Sequence, residues 1–288
     1  MSFESSPPQR DPAVGAAAPF VIEFVGTPGS GKTTLATALV ELLRAEGRDA
    51  TTIVEAARPH AATTRTGRVV SALAPGRVRR QLLWRVFYLA STRDAVRFRR
   101  AHRDLARMVV AGERTRPVPR KLQRHTIWWF FQLGGRTRFL SRTSHDGEIL
   151  VVDDGFLHRV VALHAGPGET PDEVLVRALV DLLPRPDLVV HVVADAETCA
   201  QRVSERGIWR HRAGLDDEGL RAYVKSAEGA VQAGVSRAIE QGWRLVEVDN
   251  GGDDLDAARA CLRAALTTVL GLPAPSAPAE DPDRRDAR

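Results

Sequence analysis

Eight residues near the N-terminus carry the most specific chemistry in the chain. Gly26-Thr27-Pro28-Gly29-Ser30-Gly31-Lys32-Thr33 has the spacing G-x-x-x-x-G-K-[ST], and Thr34 follows it. Glycines at these places let successive backbone N–H groups turn inward into an anion-binding nest, and a helix starting there adds the positive end of its dipole. A lysine at this spacing reaches the β- and γ-phosphates of a nucleotide, while the Thr33 hydroxyl binds Mg²⁺. ATP and Mg²⁺ are the expected ligands, with Gly26, Pro28, Gly29, Ser30, Gly31, Lys32, Thr33 and Thr34 forming the cradle.

Such a loop works only between a strand and a helix. Phe20 to Val25 is a β-branched and aromatic run that reads as a buried strand, and Lys32 to Glu46 has leucines at 35, 39, 42 and 43, a helical stripe that stops at Gly47. Thr51 to Glu55 reads as a second strand. Helical spacing runs from Val78 to about Val110 until Pro117 and Pro119 break it. Glu148 to Asp153 and Asp187 to Ala194 read as strands. Thr170-Pro171-Asp172-Glu173 reads as a capped helix start, with the helix reaching about Leu183. Helices over 196–206, 217–241 and 255–270 and a strand over 244–248 complete the order. Alternating strands and helices predict an α/β fold: a parallel β-sheet P-loop NTPase core with helices on both faces and a helical, Arg-rich insertion. Asp153 ends its strand at the nucleotide edge of such a sheet, where it would share the metal with Thr33. Asp154 either caps the next helix or joins the site.

Composition sets outer bounds. The chain has 288 residues, 27% charged and 43% hydrophobic, so it is not disordered throughout. Two cysteines, far apart and without His or Cys at ligand spacing, argue against a disulfide framework or a zinc site and fit a reducing cytoplasm. No run approaches the roughly 20 apolar residues of a membrane span. Residues 1–19 and 273–288 read as disordered tails, leaving a domain over 20–272. The net charge of +5 is uneven: residues 77–142 hold 18 Lys and Arg against three acids, Asp94, Asp104 and Glu113. That segment carries +15 and the remainder −10, which points to an anionic partner.

Pro186-Asp187 opens a strand whose following helix contains Arg202-Val203-Ser204-Glu205-Arg206-Gly207. This part resembles the thymidylate kinase-like group of nucleoside and nucleotide kinases, in which P-D-x-x-x-x-L precedes a helix ending in R-x-x-x-R-G and a lid. The resemblance implies that Arg202 and Arg206, with Arg210 and Arg212 in a lid over about 207–215, screen the transferring phosphoryl group. Tyr88-Leu89-Ala90-Ser91-Thr92-Arg93 looks like the family's L-F-A-x-x-R helix, and Glu55-Ala56-Ala57-Arg58-Pro59 looks like a loosened R-E-P loop. Glu55, Arg58 and Arg93 would then face the acceptor. Two departures imply an altered acceptor side. Asp153-Asp154 stands where the family has Asp-Arg, and 54 residues separate Arg93 from Glu148, giving an insertion over about 95–147.

Two functions follow from these residues. The first is an ATP-dependent phosphotransferase acting on a small acceptor, with Lys32, Asp153, Arg202 and Arg206 catalytic and Asp154 on the substrate side. A hydroxyl acceptor would use Asp153 or Asp154 as base, whereas a phosphate acceptor would need arginines. The second, ranked below it, is a regulatory or nucleic-acid-associated NTPase that binds its partner through 77–142, where arginines stand beside Trp128-Trp129-Phe130-Phe131. The insertion is expected to cover the acceptor site, and a homodimer is compatible with either function.

Overall fold

The computed structural model describes residues 18–116, 118–207, 215–252 and 254–271. Five strands, β1 (Phe20–Gly26), β2 (Ala50–Thr52), β3 (Ile149–Val152), β4 (Leu188–Val193) and β5 (Leu245–Asp249), form one parallel sheet in the order β2-β3-β1-β4-β5. β1 lies in the middle, with Phe20 opposite Ile149 on one side and Ile22 opposite Leu188 on the other. The chain order reverses at β1, so a crevice opens at the carboxyl ends of β1, β3 and β4, where such sheets bind ligands.

Strand residues alternate between two apolar layers because successive side chains point to opposite faces. Ile22, Phe24, Val151 and Val190 pack against α1 (Lys32–Ala45) and α11 (Leu255–Leu270) through Leu35, Leu39, Leu43, Leu262 and Leu266. Val25, Leu150, Val152 and Val189 face the other layer, built from α7 (Phe156–His164), α8 (Glu173–Val180), α9 (Ala196–Arg206) and α10 (Asp217–Glu240). Helices α2 (Ile53–Thr63), α3 (Arg65–Leu73), α4 (Gly76–Ala101), α5 (Arg103–Thr115) and α6 (Arg120–Thr143) extend this second layer. The result is the α/β fold of P-loop NTPases, with an Arg-rich segment that is helical.

The Arg-rich helices share the core. Phe98 stacks on Phe156 at 5.3 Å, and Phe130 meets Phe156 edge-on at 5.5 Å. Arg116 pairs with buried Glu113 at 2.8 Å and donates to the Ala162 carbonyl near the end of α7 at 2.9 Å. Buried His60 of α2 joins Glu148 at 2.7 Å and Thr143 at 3.0 Å. Gly134 and Gly135 do not interrupt α6. They let α4 approach, since a β-carbon on Gly135 would overlap the Ser91 carbonyl and one on Gly134 the Phe98 ring.

Three boundaries differ from the sequence reading. The second strand stops at Thr52, because Thr52 and Glu55 form a capping box that opens α2, with Glu55 N–H donating to Thr52 Oγ1 at 3.2 Å. Asp172, not Thr170, caps α8, accepting from Val174 and Leu175. The helix expected from 78 to 110 is two helices meeting at His102. Residues 1–17, the lid span 208–214 with Arg210 and Arg212, and 272–288 lie outside the described residues. No helix among the described residues is long and apolar enough to cross a membrane.

Candidate active site

The loop between β1 and α1 is built on two left-handed glycines, Gly29 at φ 95° and Gly31 at φ 91°, a conformation that side chains resist. Close packing adds a second demand. A β-carbon on Gly26 would strike the Val192 carbonyl, one on Gly29 the Cys199 carbonyl, and one on Gly31 the Asn250 amide. Ser30 N–H closes a turn on Thr27 O at 3.0 Å, and Asn250 Nδ2 holds Ser30 O at 2.7 Å. Pro28 is buried, and Thr34 is exposed as the third residue of α1. The loop is thus fixed by β4, α9 and the segment after β5, with the first-turn amides of α1 free of helical partners.

Lys32 is buried, and its Nζ donates to Gly26 O at 2.9 Å and Thr27 O at 3.1 Å. Burial pulls its pKa from 10.5 down to about 8, against the pull of Asp154 and Asp153, and Arg206 repels it. Thr33 Oγ1 lies 3.0 Å from Asp153 Oδ2 across the cleft. A hydroxyl and a carboxylate side by side are hard oxygen donors of the kind Mg²⁺ takes, with water and phosphate oxygens filling its remaining positions. The donor set fits that metal.

Asp154 does not cap α7, whose N-cap is Gly155 without a side-chain bond. Its carboxylate pairs with Arg159 at 2.6 Å, and His158 Nε2 stands 3.9 Å away. Burial and neighbouring Asp153 raise the Asp154 pKa, while Arg159 opposes them. His158 is held neutral, its pKa driven well below 6.5 by burial and then by Lys32 and Arg159. The start of α7 is capped from the sheet instead: buried Glu23 of β1 accepts from Leu157 N–H. Burial lifts Glu23 to about 7 although amides of α7 pull the other way.

Arg202 and Arg206 take different positions. Arg202 donates to the carbonyls of Asn250 at 2.8 Å and Gly252 at 2.6 Å, bracing the segment that supports the loop rather than pointing with Arg206 at one phosphate. Arg206, at the exposed end of α9, is near enough to Lys32 to act on its charge. Glu55 is occupied as the α2 capping residue and pairs with Arg44 at 3.0 Å. Arg58 is exposed on α2. Arg93 lies on an open groove of about 590 Å³ with Arg65, Arg97 and Arg142, beside buried Asp94.

What the cleft holds beside Asp154 was not singled out from sequence. Arg136 of α6 and Arg159 of α7 both lie over the Trp129 ring, their guanidinium carbons 5.1 and 5.2 Å from its centroid. Spacing alone puts Trp129, Gln132 and Arg136 on one face of α6. Gln132, buried, donates to Thr92 Oγ1 at 3.0 Å. Asn250 did leave a signal: Asn-Gly-Gly directly after a strand marks a turn at the ligand edge of the sheet.

The sequence matches no model of a protein family and no curated protein. Among solved structures it is similar to deoxyadenosine kinase from M. mycoides, at a TM-score of 0.43 and 12% identity over 86% of this chain and 99% of that one. It is also similar to thymidylate kinase from Candida albicans, at a TM-score of 0.43 and 16% identity over 90% and 96% of the two chains.

Proposed function

We propose that this protein transfers the terminal phosphoryl group of ATP to a small acceptor. The observation that carries this reading is the convergence at one sheet edge of a buried Lys32, the Thr33–Asp153 oxygen pair and the Asp154 carboxylate. The loop amides and Lys32 bind the donor phosphates, exchanging the two carbonyl contacts of the ammonium for phosphate oxygens. Thr33 and Asp153 would hold Mg²⁺, which when bound neutralises charge on the phosphates. Arg206, exposed at the end of α9 and close enough to Lys32 to lower its pKa, would offset negative charge that develops during transfer. Asp154, with its raised pKa, takes the proton of a hydroxyl acceptor, and Arg159 keeps it oriented. The helices over the second layer exclude water, which would otherwise consume ATP.

The test is a screen with labelled ATP and pools of nucleosides, nucleoside monophosphates, sugars and lipid alcohols. One pool should be phosphorylated by the wild type and not by Lys32→Met. Transfer unchanged in that variant would refute the assignment.

A further inference from the structure

Arg136 is half-buried and has no hydrogen bond or ion pair among the described residues; its only described neighbour interaction of that strength is the Trp129 ring. Arg159 lies over the same ring and pairs with Asp154, whose carboxylate acts on Arg136 through space without pairing with it. The two guanidinium carbons are therefore at most about 10 Å apart, and burial, with the repulsion of Arg159 second to it, lowers the Arg136 pKa. The Nε atoms of both arginines are buried without a partner. His158 beside them is neutral and supplies no negative charge, and its buried Nδ1 is also without a partner.

Two guanidiniums that pack on one indole ring with a single paired carboxylate between them, partly withdrawn from water, are costly unless an anion completes them. We propose that Arg136 and Arg159, seated on Trp129, form the binding site for an oxyanion group of the acceptor, so that the acceptor is a small molecule bearing a phosphate or a carboxylate. This inference rests on the phosphotransfer reading for what the anion belongs to. Asp154 joins it to the chemistry, being paired with Arg159 and electrostatically coupled to Lys32. Arg159 stands one turn into α7 and Arg136 comes from the Arg-rich segment, so that segment supplies a charge to the acceptor side instead of only covering it. Guanidinium groups suit the task because they bind oxyanions in a forked geometry that an ammonium does not offer.

The experiment uses the full chain saturated with Mg²⁺ and the β,γ-imido analogue of ATP, so that the phosphate loop is filled. Inorganic phosphate and, separately, acetate are then titrated by calorimetry and by tryptophan emission, which Trp129 should report. Wild type should bind the probe, and Arg136→Gln should weaken it at least tenfold while leaving the affinity for the ATP analogue within twofold. Arg136→Lys should recover part of the loss. Binding of phosphate alone assigns a phosphate-bearing acceptor, and binding of acetate as well assigns an oxyanion site that also accepts a carboxylate. No probe binding to the saturated wild type, or an Arg136→Gln effect on the analogue instead, would overturn the proposal, the latter by giving the arginines to the donor. Thermal midpoints of both variants check folding, and Arg136→Lys carries the test if the glutamine variant does not fold. Failure of the analogue to bind wild type would instead refute the phosphotransfer reading, and titration of phosphate into Lys32→Met would still test the arginine pair by itself.

Discussion

Lys32 and Glu23 are each held where their charged forms are disfavoured, and the two make opposite pH predictions. Lowering Lys32 from 10.5 to about 8 corresponds to about 3 kcal/mol at neutral pH. Lys32→Met should therefore abolish turnover yet leave the protein as stable or more stable at pH 7, by up to about 3 kcal/mol, read from denaturant midpoints. A lysine with a lowered folded pKa lets the wild type regain stability as pH rises from 8 towards 10.5, so the gap should close there. Glu23 shifts the other way, from 4.5 up to about 7, because burial outweighs the α7 amides. Its contribution is fully present below pH 4.5 and is lost as pH rises through 7, again about 3 kcal/mol at most. Glu23→Gln keeps an oxygen for Leu157 N–H and cannot ionise. It should match wild type at pH 4.5 and exceed it at pH 8; equal midpoints at both pH values would mean that the carboxylate is not ionised against a penalty.

At the scale of elements, the α4–α6 contact depends on Gly134 and Gly135. Gly135→Ala should cost roughly 2 kcal/mol or more, since its β-carbon would overlap backbone of α4 at Ser91 and a packed interior gives little. Gly112→Ala, at an exposed position of α5 where nothing lies within 4 Å, should stabilise by about 0.5–1 kcal/mol. Thermal unfolding of the two variants checks both signs. These helices also mark how far the sequence was legible. Strands β1, β3 and β4 stand out because a parallel strand buried on both faces is a continuous apolar run, and the phosphate loop because its turn demands glycines at fixed spacing. The start of α2 was not legible: Thr51 to Glu55 alternates like a strand, and only the reciprocal Thr52–Glu55 bonds decide for helix. The acceptor side was hidden for a different reason. Trp129, Arg136 and Arg159 come together through tertiary packing of α6 on α7, and in a chain with 38 arginines no local signal separates these two from solvated ones. Arg202 shows the converse, a residue whose spacing suggests phosphate contact and whose guanidinium is bound by loop carbonyls.

For the whole molecule, the question is what the +15 segment does with its charge. Its inner arginines reach the cleft, as Arg136 does, or tie the helices to the core, as Arg116 and Arg142 do through Glu113 and Asp94. Its outer ones, Arg99, Arg100, Arg103, Arg107 and Arg114, line an open groove of about 750 Å³ between α4 and α5. A single-strand platform needs aromatic faces beside such cations. Here Phe130 and Phe131 are buried in the core and Trp129 carries two guanidiniums; Trp84, Tyr88 and Trp128 are exposed, but none of them lines this groove, which is made of arginine, valine and alanine. We therefore expect DNA and RNA, single-stranded or duplex, to bind weakly at 150 mM salt and to leave ATP turnover unchanged, with turnover requiring a small acceptor. Fluorescence anisotropy across a salt series decides the matter. Tight binding that falls roughly a thousandfold between 50 and 200 mM, as about six phosphate contacts would give, together with nucleic-acid-stimulated hydrolysis and no acceptor, would make this face a nucleic-acid surface and the protein an NTPase of a different kind.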